Sequence, residues 1–381
     1  MARTYVVALQ ARSAVRVAPD SEIVVNAKSD AGEQRVVIRT TYEPYGNSRV
    51  PRSLWFEVVG PGIDLDMARD NAQMLADAMA NIMCVTMNAS VDSMMPTVAF
   101  DATPDGTEHE YWQYVIPPNS GLPRASRLLN RKIFDAFNGA IVESEYRDVL
   151  FRSCGYFRIA VENAVPGKWL LALAYGWMAV EALKVPALSQ ELARRGFNRA
   201  ELASEWSVPT RELKNEARKR LLFSGSPDLH DRVRGVSNDF EHALEAFGPL
   251  QTAAEADAIE LLNAVRHSIL RVAYNSDAPV TLPADTEIPL ASVPLQESLT
   301  ATILGEAASL APEDLQYPHL DITTKSVTVD LTDTGGFKVQ RDLEVTVRTG
   351  DGTAVRDISF KTIGPPGSSP LNADINEINL N

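Results

Sequence analysis

The sequence predicts an α+β multidomain fold: an N-terminal α+β domain, a central all-α helical bundle and a C-terminal β-rich segment. Three observations carry this. β-branched clusters crowd the first sixty or so residues, helical patterning is nearly unbroken from Arg124 to Tyr274, and extended, proline-punctuated stretches follow Pro279. At 381 residues the chain has room for two or three domains, each able to bury a core.

The first domain is assigned to residues 1–120. From Thr4 to about Val59 the pattern is strand-like, with Ile23-Val24-Val25 and Val36-Val37-Ile38 separated by polar turns. Gly60-Pro61-Gly62 reads as a breaker. Beyond it Asp64 and Asp66 are N-cap candidates for a helix running to Met87, rich in Ala, Met and Leu. Thr97–Phe100 and Tyr111–Ile116 suggest a further strand pair, and Pro117–Pro123 reads as a linker.

The bundle is assigned to 124–278, with helices predicted over 127–142, 145–164, 168–185, 209–222, 229–247 and 252–275. Short connections between most of them suit antiparallel neighbours. Trp169–Leu183 is apolar on nearly all sides and is expected to be the central helix, which makes Glu181 a buried carboxylate in need of a partner. In 279–363, alternation over Val327–Leu331 and Leu343–Val347 predicts a hairpin turning through Asp333–Gly336, with Val355–Phe360 as a third strand. The tail, 364–381, has the Pro, Gly, Ser and Asn content of a disordered segment.

The chain is acidic, with a formal net charge of -14 and an isoelectric point near 4.9, which argues against coating nucleic acid or anionic membrane through its overall field. Any polyanion contact is therefore local. Cys84 and Cys154 sit in apolar helical patterns and read as buried free thiols of a reducing compartment. The N-terminus lacks the order of a signal peptide and the longest apolar stretch is short for a membrane span, so a cytoplasmic location without membrane attachment is expected. No phosphate loop, dinucleotide fingerprint or nucleophile elbow occurs, and His109, His230, His242, His267 and His319 have no metal-ligand spacing. Neither cofactor nor metal is expected.

The segment that carries chemistry is Ser237-Asn238-Asp239-Phe240-Glu241-His242. It is expected to open an amphipathic helix whose stripe, Phe240, Ala243, Leu244 and Phe247, is buried, with Asn238 and His242 projecting together from the opposite face. A histidine so placed suits proton transfer or a partner contact; the alternative is an ordinary solvated face.

This hexapeptide resembles the signature of the HEPN helical-bundle superfamily: an Arg, a polar residue, three more residues and a His. Asn238 matches the polar position and His242 the His, but Ser237 stands where the Arg belongs. Trp177–Leu183 resembles the superfamily's buried, Glu-bearing helix, and Asn263–Arg271 its last helix. The particular form of the hexapeptide, followed by a helix and a proline-rich β segment, resembles the methylamine-utilization accessory protein family. The resemblance implies a HEPN-like bundle, a homodimer as one assembly through it, and, in catalytic members, metal-independent RNA cleavage by the Arg and His. A serine hydroxyl cannot supply the fixed charge that an Arg fork offers a phosphorane-like transition state.

Two functions follow from different classes. The first is a non-catalytic cytoplasmic accessory or interaction protein with a protein partner whose identity the sequence does not reveal. The second is a metal-independent endoribonuclease in which His242 is general acid or base, Asn238 orients phosphate and Arg234 replaces the lost charge. A third reading, binding of RNA or nucleotide without cleavage, draws on the basic run from Arg194 to Arg234. In that run Arg211, Lys214 and Arg218 are expected on one helix face, with Arg232 close to the motif. Glu201, Glu205, Glu212 and Glu216 interleave with it, so a salt-bridged solvated surface is the alternative.

Overall fold

Residues 3–29, 32–45, 48–103, 110–113, 126–242, 244–275, 296–304, 313, 319–331, 337–363 and 377–380 are described by the computed structural model. In β1 (Arg3–Ala11) Tyr5, Val7, Leu9 and Ala11 are buried at every second position, the signature of a strand with one face on a core. β2 (Val15–Arg16) follows, then β3 (Ile23–Ser29), β4 (Gly32–Tyr45) and β5 (Ser48–Gly62). β3 pairs antiparallel with β4, and β5 with β1, where Leu9 faces Phe56 and Val7 faces Val58.

Gly60-Pro61-Gly62 is not a break between elements but the paired end of β5, opposite Tyr5, Thr4 and Arg3. A Cβ at Gly62 would lie 2.8 Å from the Tyr5 ring, and one at Gly60 2.6 Å from Gln34 Cγ. These glycines serve the close approach of neighbouring side chains within a sheet.

α1 (Leu65–Met87) starts where expected, with Asp64 Oδ1 accepting from the Met67 N–H at 2.7 Å. β6 (Met95–Asp101) and β7 (Tyr111–Gln113) complete a six-stranded sheet of order β3-β4-β5-β1-β6-β7. Residues 114–125, which include the predicted linker and the end of the predicted second strand, lie outside the described residues. β8 (Arg127–Leu128) pairs parallel with β2.

The helical part comprises α2 (Arg131–Glu143), α3 (Arg147–Glu162), α4 (Trp169–Arg195), α5 (Arg199–Glu205), α6 (Leu213–Ala217), α7 (Pro227–Glu241) and α8 (Phe247–Tyr274), with a 3-10 turn at Thr210–Glu212 and a π-turn at Arg218–Leu222. α4 packs against both α3 and α8. It runs past its predicted end through Pro186, because burial of Ala187, Leu188 and Glu191 sustains the helix beyond the missing N–H. It stops at Gly196, which takes the left-handed conformation at φ 67°. Among the described residues α4 is the one helix long and apolar enough to cross a membrane, and more than half of its apolar window is buried in the fold.

The carboxyl end of α1 has no basic residue of its own, and arginines from elsewhere serve it. Arg266 Nε of α8 donates to the Val85 carbonyl at 2.7 Å, and Arg127 Nη1 to those of Met87 and Asn88 at 2.7 and 2.9 Å. Arg158 of α3 reaches Asn81 at 2.6 Å and Asp77 at 3.2 Å. Arg266 and Arg127 thus bring positive charge to the free carbonyls and the negative dipole end of α1, whereas Arg158 binds side chains further up the helix. Cys84 and Cys154 are free and fully buried, and burial pushes the thiol of Cys84 up to about 12 and raises that of Cys154 well above its usual range.

By contacts the chain forms two compact units, one of Met1–Tyr42 with Pro51–Ser292 and the other of Glu43–Val50 with Val293–Asn381. The predicted α+β and helical parts thus fall in the same unit. In the second, β10 (His319–Leu331) and β11 (Phe337–Arg348) form the predicted hairpin, whose turn lies outside the described residues. β9 (Gln296–Leu304) pairs with β12 (Ala354–Ile363), so the predicted third strand joins β9 and not the hairpin. In the tail, β13 (Glu377–Leu380) pairs parallel with β11, while 364–376 and 381 lie outside the described residues.

Candidate functional site

Pro227 at the first position of α7 sets that helix in motion, and its buried side chains are Leu229, His230, Val233, Val236 and Ser237. The hexapeptide therefore closes a helix and does not open one. His242 is its C-cap, with its N–H on the Asn238 carbonyl at 3.0 Å. The Leu244 N–H then returns to the Asp239 carbonyl at 2.9 Å, the long closing bond of a Schellman-type end. The expected buried stripe is overturned: Phe240 is 38%, Leu244 69% and Phe247 64% exposed. The predicted helix 229–247 ends at Glu241, so Leu244 and Phe247 leave its periodicity; the side chain of Ala243 lies outside the described residues.

Asn238 and His242 are exposed, as expected, and so is Arg234. Eight residues separate Arg234 from His242, about 12 Å of helix axis. Ser237 is turned inward, 3% exposed, and its hydroxyl donates to Glu241 at 3.0 Å. Arg232 is held by α8, at 3.0 Å from Asp257 and 3.1 Å from Glu260.

The basic run is largely neutralised in place. Arg194 and Arg195 bind Glu191, Arg195 also binds Glu205, Arg220 lies 2.5 Å from Glu216, and Lys219 lies 2.5 Å from Asp231. Arg211 and Lys214 are exposed, but Arg218 is not, which overturns the common face expected of the three. Arg211 belongs to the 3-10 turn and Arg218 to the π-turn, so the spacing of one regular helix does not apply.

What Arg218 does is structural. Its guanidinium stacks 4.3 Å from the centroid of the Trp177 ring and pairs with Glu181, which also binds Lys184. Glu181 has the partner on a neighbouring segment that its sequence context demanded, but its side chain is one-third exposed and not sealed. Carbonyls loosened by the π-turn are taken up from α8: the Ser268 hydroxyl donates to Leu222 and Arg271 Nη1 to Leu221, both at 2.8 Å.

His230 completes this cluster. Its ring lies 5.7 Å from that of Trp177 and 5.4 Å, edge on, from Phe223, and its Nδ1 is 2.9 Å from Asp231 Oδ1. Nε2 is buried without a hydrogen-bond partner. Burial holds the imidazole below its usual range; the Asp231 bond opposes this and the Arg218 charge adds to it. A neutral histidine in an aromatic box is a packing element, and the sequence signal for it was the spacing of Leu229, His230, Val233 and Ser237 on one face.

Among the described residues no three His, Cys, Asp or Glu side chains gather as metal ligands would. No family model, curated protein or solved structure matches this chain.

Proposed function

We propose that this protein is a non-catalytic accessory or interaction protein of the cytoplasm, built on a degenerate HEPN-like bundle of the kind its hexapeptide resembles. The observation that carries the reading is Ser237: it occupies the position of the superfamily's Arg and is turned inward onto Glu241. In-line RNA cleavage needs a proton acceptor and a fixed charge at one phosphate. His242 offers the first, while Arg234 stands about 12 Å away along α7. The resemblance further suggests a homodimer through the bundle, and the methylamine-utilization accessory family as the nearest functional setting.

The nuclease reading has one observation in its favour. Arg234, Asn238 and His242 recur at four-residue intervals and are all exposed, so a second chain could bring one protomer's Arg234 to the other's His242. Incubation of the purified protein with total RNA in a chelator separates the two. The accessory reading expects no cleavage, from wild type or from His242→Ala. Chelator-resistant cleavage that disappears in His242→Ala would overturn it and make Arg234→Ala the next test.

A further inference from the structure

We infer that the corner between α7 and α8 is a docking surface for a cationic, amphipathic polypeptide segment. The inference rests on the accessory-protein reading and supplies the chemistry of the partner. Three large apolar side chains, Phe240, Leu244 and Phe247, are 38, 69 and 64% exposed within eight residues of chain. The Leu244 N–H bond to the Asp239 carbonyl folds Leu244 back beside the last turn of α7, and Phe247 opens α8 three residues later. Isolated exposed apolar residues are ordinary on a protein surface, but three at one helix junction form a patch of the kind that marks an interaction site.

Charge chooses the occupant. From Gly235 to Val265 the chain contains no Lys or Arg, yet carries Asp239, Glu241, Glu245, Glu255, Asp257 and Glu260. Asp257 and Glu260 are engaged by Arg232, whereas Asp239, Glu241 and Glu245 alternate with the apolar residues of the corner; of these, Glu241 accepts from the Ser237 hydroxyl and Glu245 from the Ala246 N–H. An apolar patch set among carboxylates that form no ion pair among the described residues repels nucleic acid and anionic lipid. It favours a segment that inserts apolar side chains while Lys or Arg beside them meet the carboxylates, as an amphipathic helix with apolar residues on a 3.6 period does.

The test uses the full chain and two designed helical peptides of the same apolar pattern, one of Leu and Lys, the other of Leu and Glu, followed by fluorescence anisotropy. The Leu/Lys peptide is expected to bind and the Leu/Glu peptide not to. The informative variant is Leu244→Asp with Phe247→Asp, which makes the corner more acidic while removing its apolar anchors. Apolar docking expects a loss of at least about tenfold in affinity; attraction by charge alone expects tighter binding, which overturns the proposal. Asp239→Lys with Glu245→Lys is expected to weaken the Leu/Lys peptide as well. Equal binding of both peptides, or of neither, also overturns the proposal. If the peptides fail and the RNA assay shows no cleavage, the docking inference alone is wrong. His242-dependent cleavage removes the accessory reading whatever the peptides do.

Discussion

Along the first three turns of α7, Leu229, His230 and Val233 are buried, His230 between the rings of Trp177 and Phe223, whereas Phe240 at its far end, and Leu244 and Phe247 just beyond it, meet solvent. Both regions carry the residue types that a helical pattern assigns to a core. Leu229, Val233, Val236 and Phe240 even fall on one stripe, at intervals of four, three and four. The stripe is continuous, but its cover is not. Periodicity tells which side chains share a face; only the neighbouring elements decide how far along the helix that face is sealed.

The largest expected effect tests the sealed end. Truncating Phe223, which is 1% exposed, to Ala should cost about 3 to 5 kcal/mol in urea unfolding. The same truncation at Phe240 should cost far less. Equal losses at the two positions would erase the contrast between the two ends of the helix.

Next comes the ion pair beneath His230. Glu181→Gln leaves the Arg218 guanidinium, whose side chain is 5% exposed, without its carboxylate. A fully buried pair broken this way loses about 3 to 5 kcal/mol, and the one-third exposure of Glu181 should hold the loss nearer ~2 kcal/mol. Adding Arg218→Met should recover part of that loss, because the orphaned charge goes with it. A double variant weaker than the single one by the full cost of a second core truncation would show that Arg218 contributes through packing on Trp177 rather than through charge.

His230 gives the comparison a pH axis. Its folded imidazole is held below the ordinary range by burial, with the Asp231 bond opposing and Arg218 and Lys219 assisting. A depressed folded pKa means that the native state binds fewer protons than the unfolded chain, so stability is complete above the unfolded value of about 6.5 and drains away as pH falls through the folded one. Urea midpoints measured from pH 7.5 downward should therefore decline more steeply for wild type than for His230→Phe. Asp92 and Glu162, whose carboxyls burial raises, work in the opposite sense in both proteins and cancel from the difference. Parallel pH profiles would mean that His230 is not sealed as the structure has it.

These contrasts also mark what could be read from the sequence. The Asp64 cap, the central place of α4, the hairpin of β10 and β11, and a polar partner for Glu181 all follow from local rules, because the groups that decide them lie close in the chain or are demanded by burial. The end of α7 did not follow. Nothing between Asp239 and Leu244 is a glycine or proline to announce a stop, so apolar spacing carried the predicted helix on to Phe247. Arg218 was misread for a related reason: a run of basic residues looks like a surface, and only a π-turn and Trp177, some forty residues earlier, turn one of them inward. The spacing of Leu229, His230 and Val233 marks a buried face, but the aromatic surroundings of His230 were not legible because Trp177 and Phe223 are brought to it by tertiary packing.

The smallest expected effect lies at the exposed end and is the sharpest check on it. Leu244→Asp replaces a large apolar side chain that is 69% exposed, so little apolar area returns to water in the folded state that was not there already. Its N–H bond to the Asp239 carbonyl belongs to the backbone and survives the change. A new carboxylate near the carboxyl end of α7, beside Asp239, Glu241 and Glu245, adds a modest repulsion with the helix dipole and with its neighbours. The sum should stay within about 0.5 kcal/mol of wild type, the range of surface substitutions that break no special contact. Raising the salt should shrink what remains, since exposed charges are screened over roughly 10 Å at 0.1 M. A loss of 2 kcal/mol or more, insensitive to salt, would place Leu244 in a core after all and return the corner to the buried stripe that its spacing predicts.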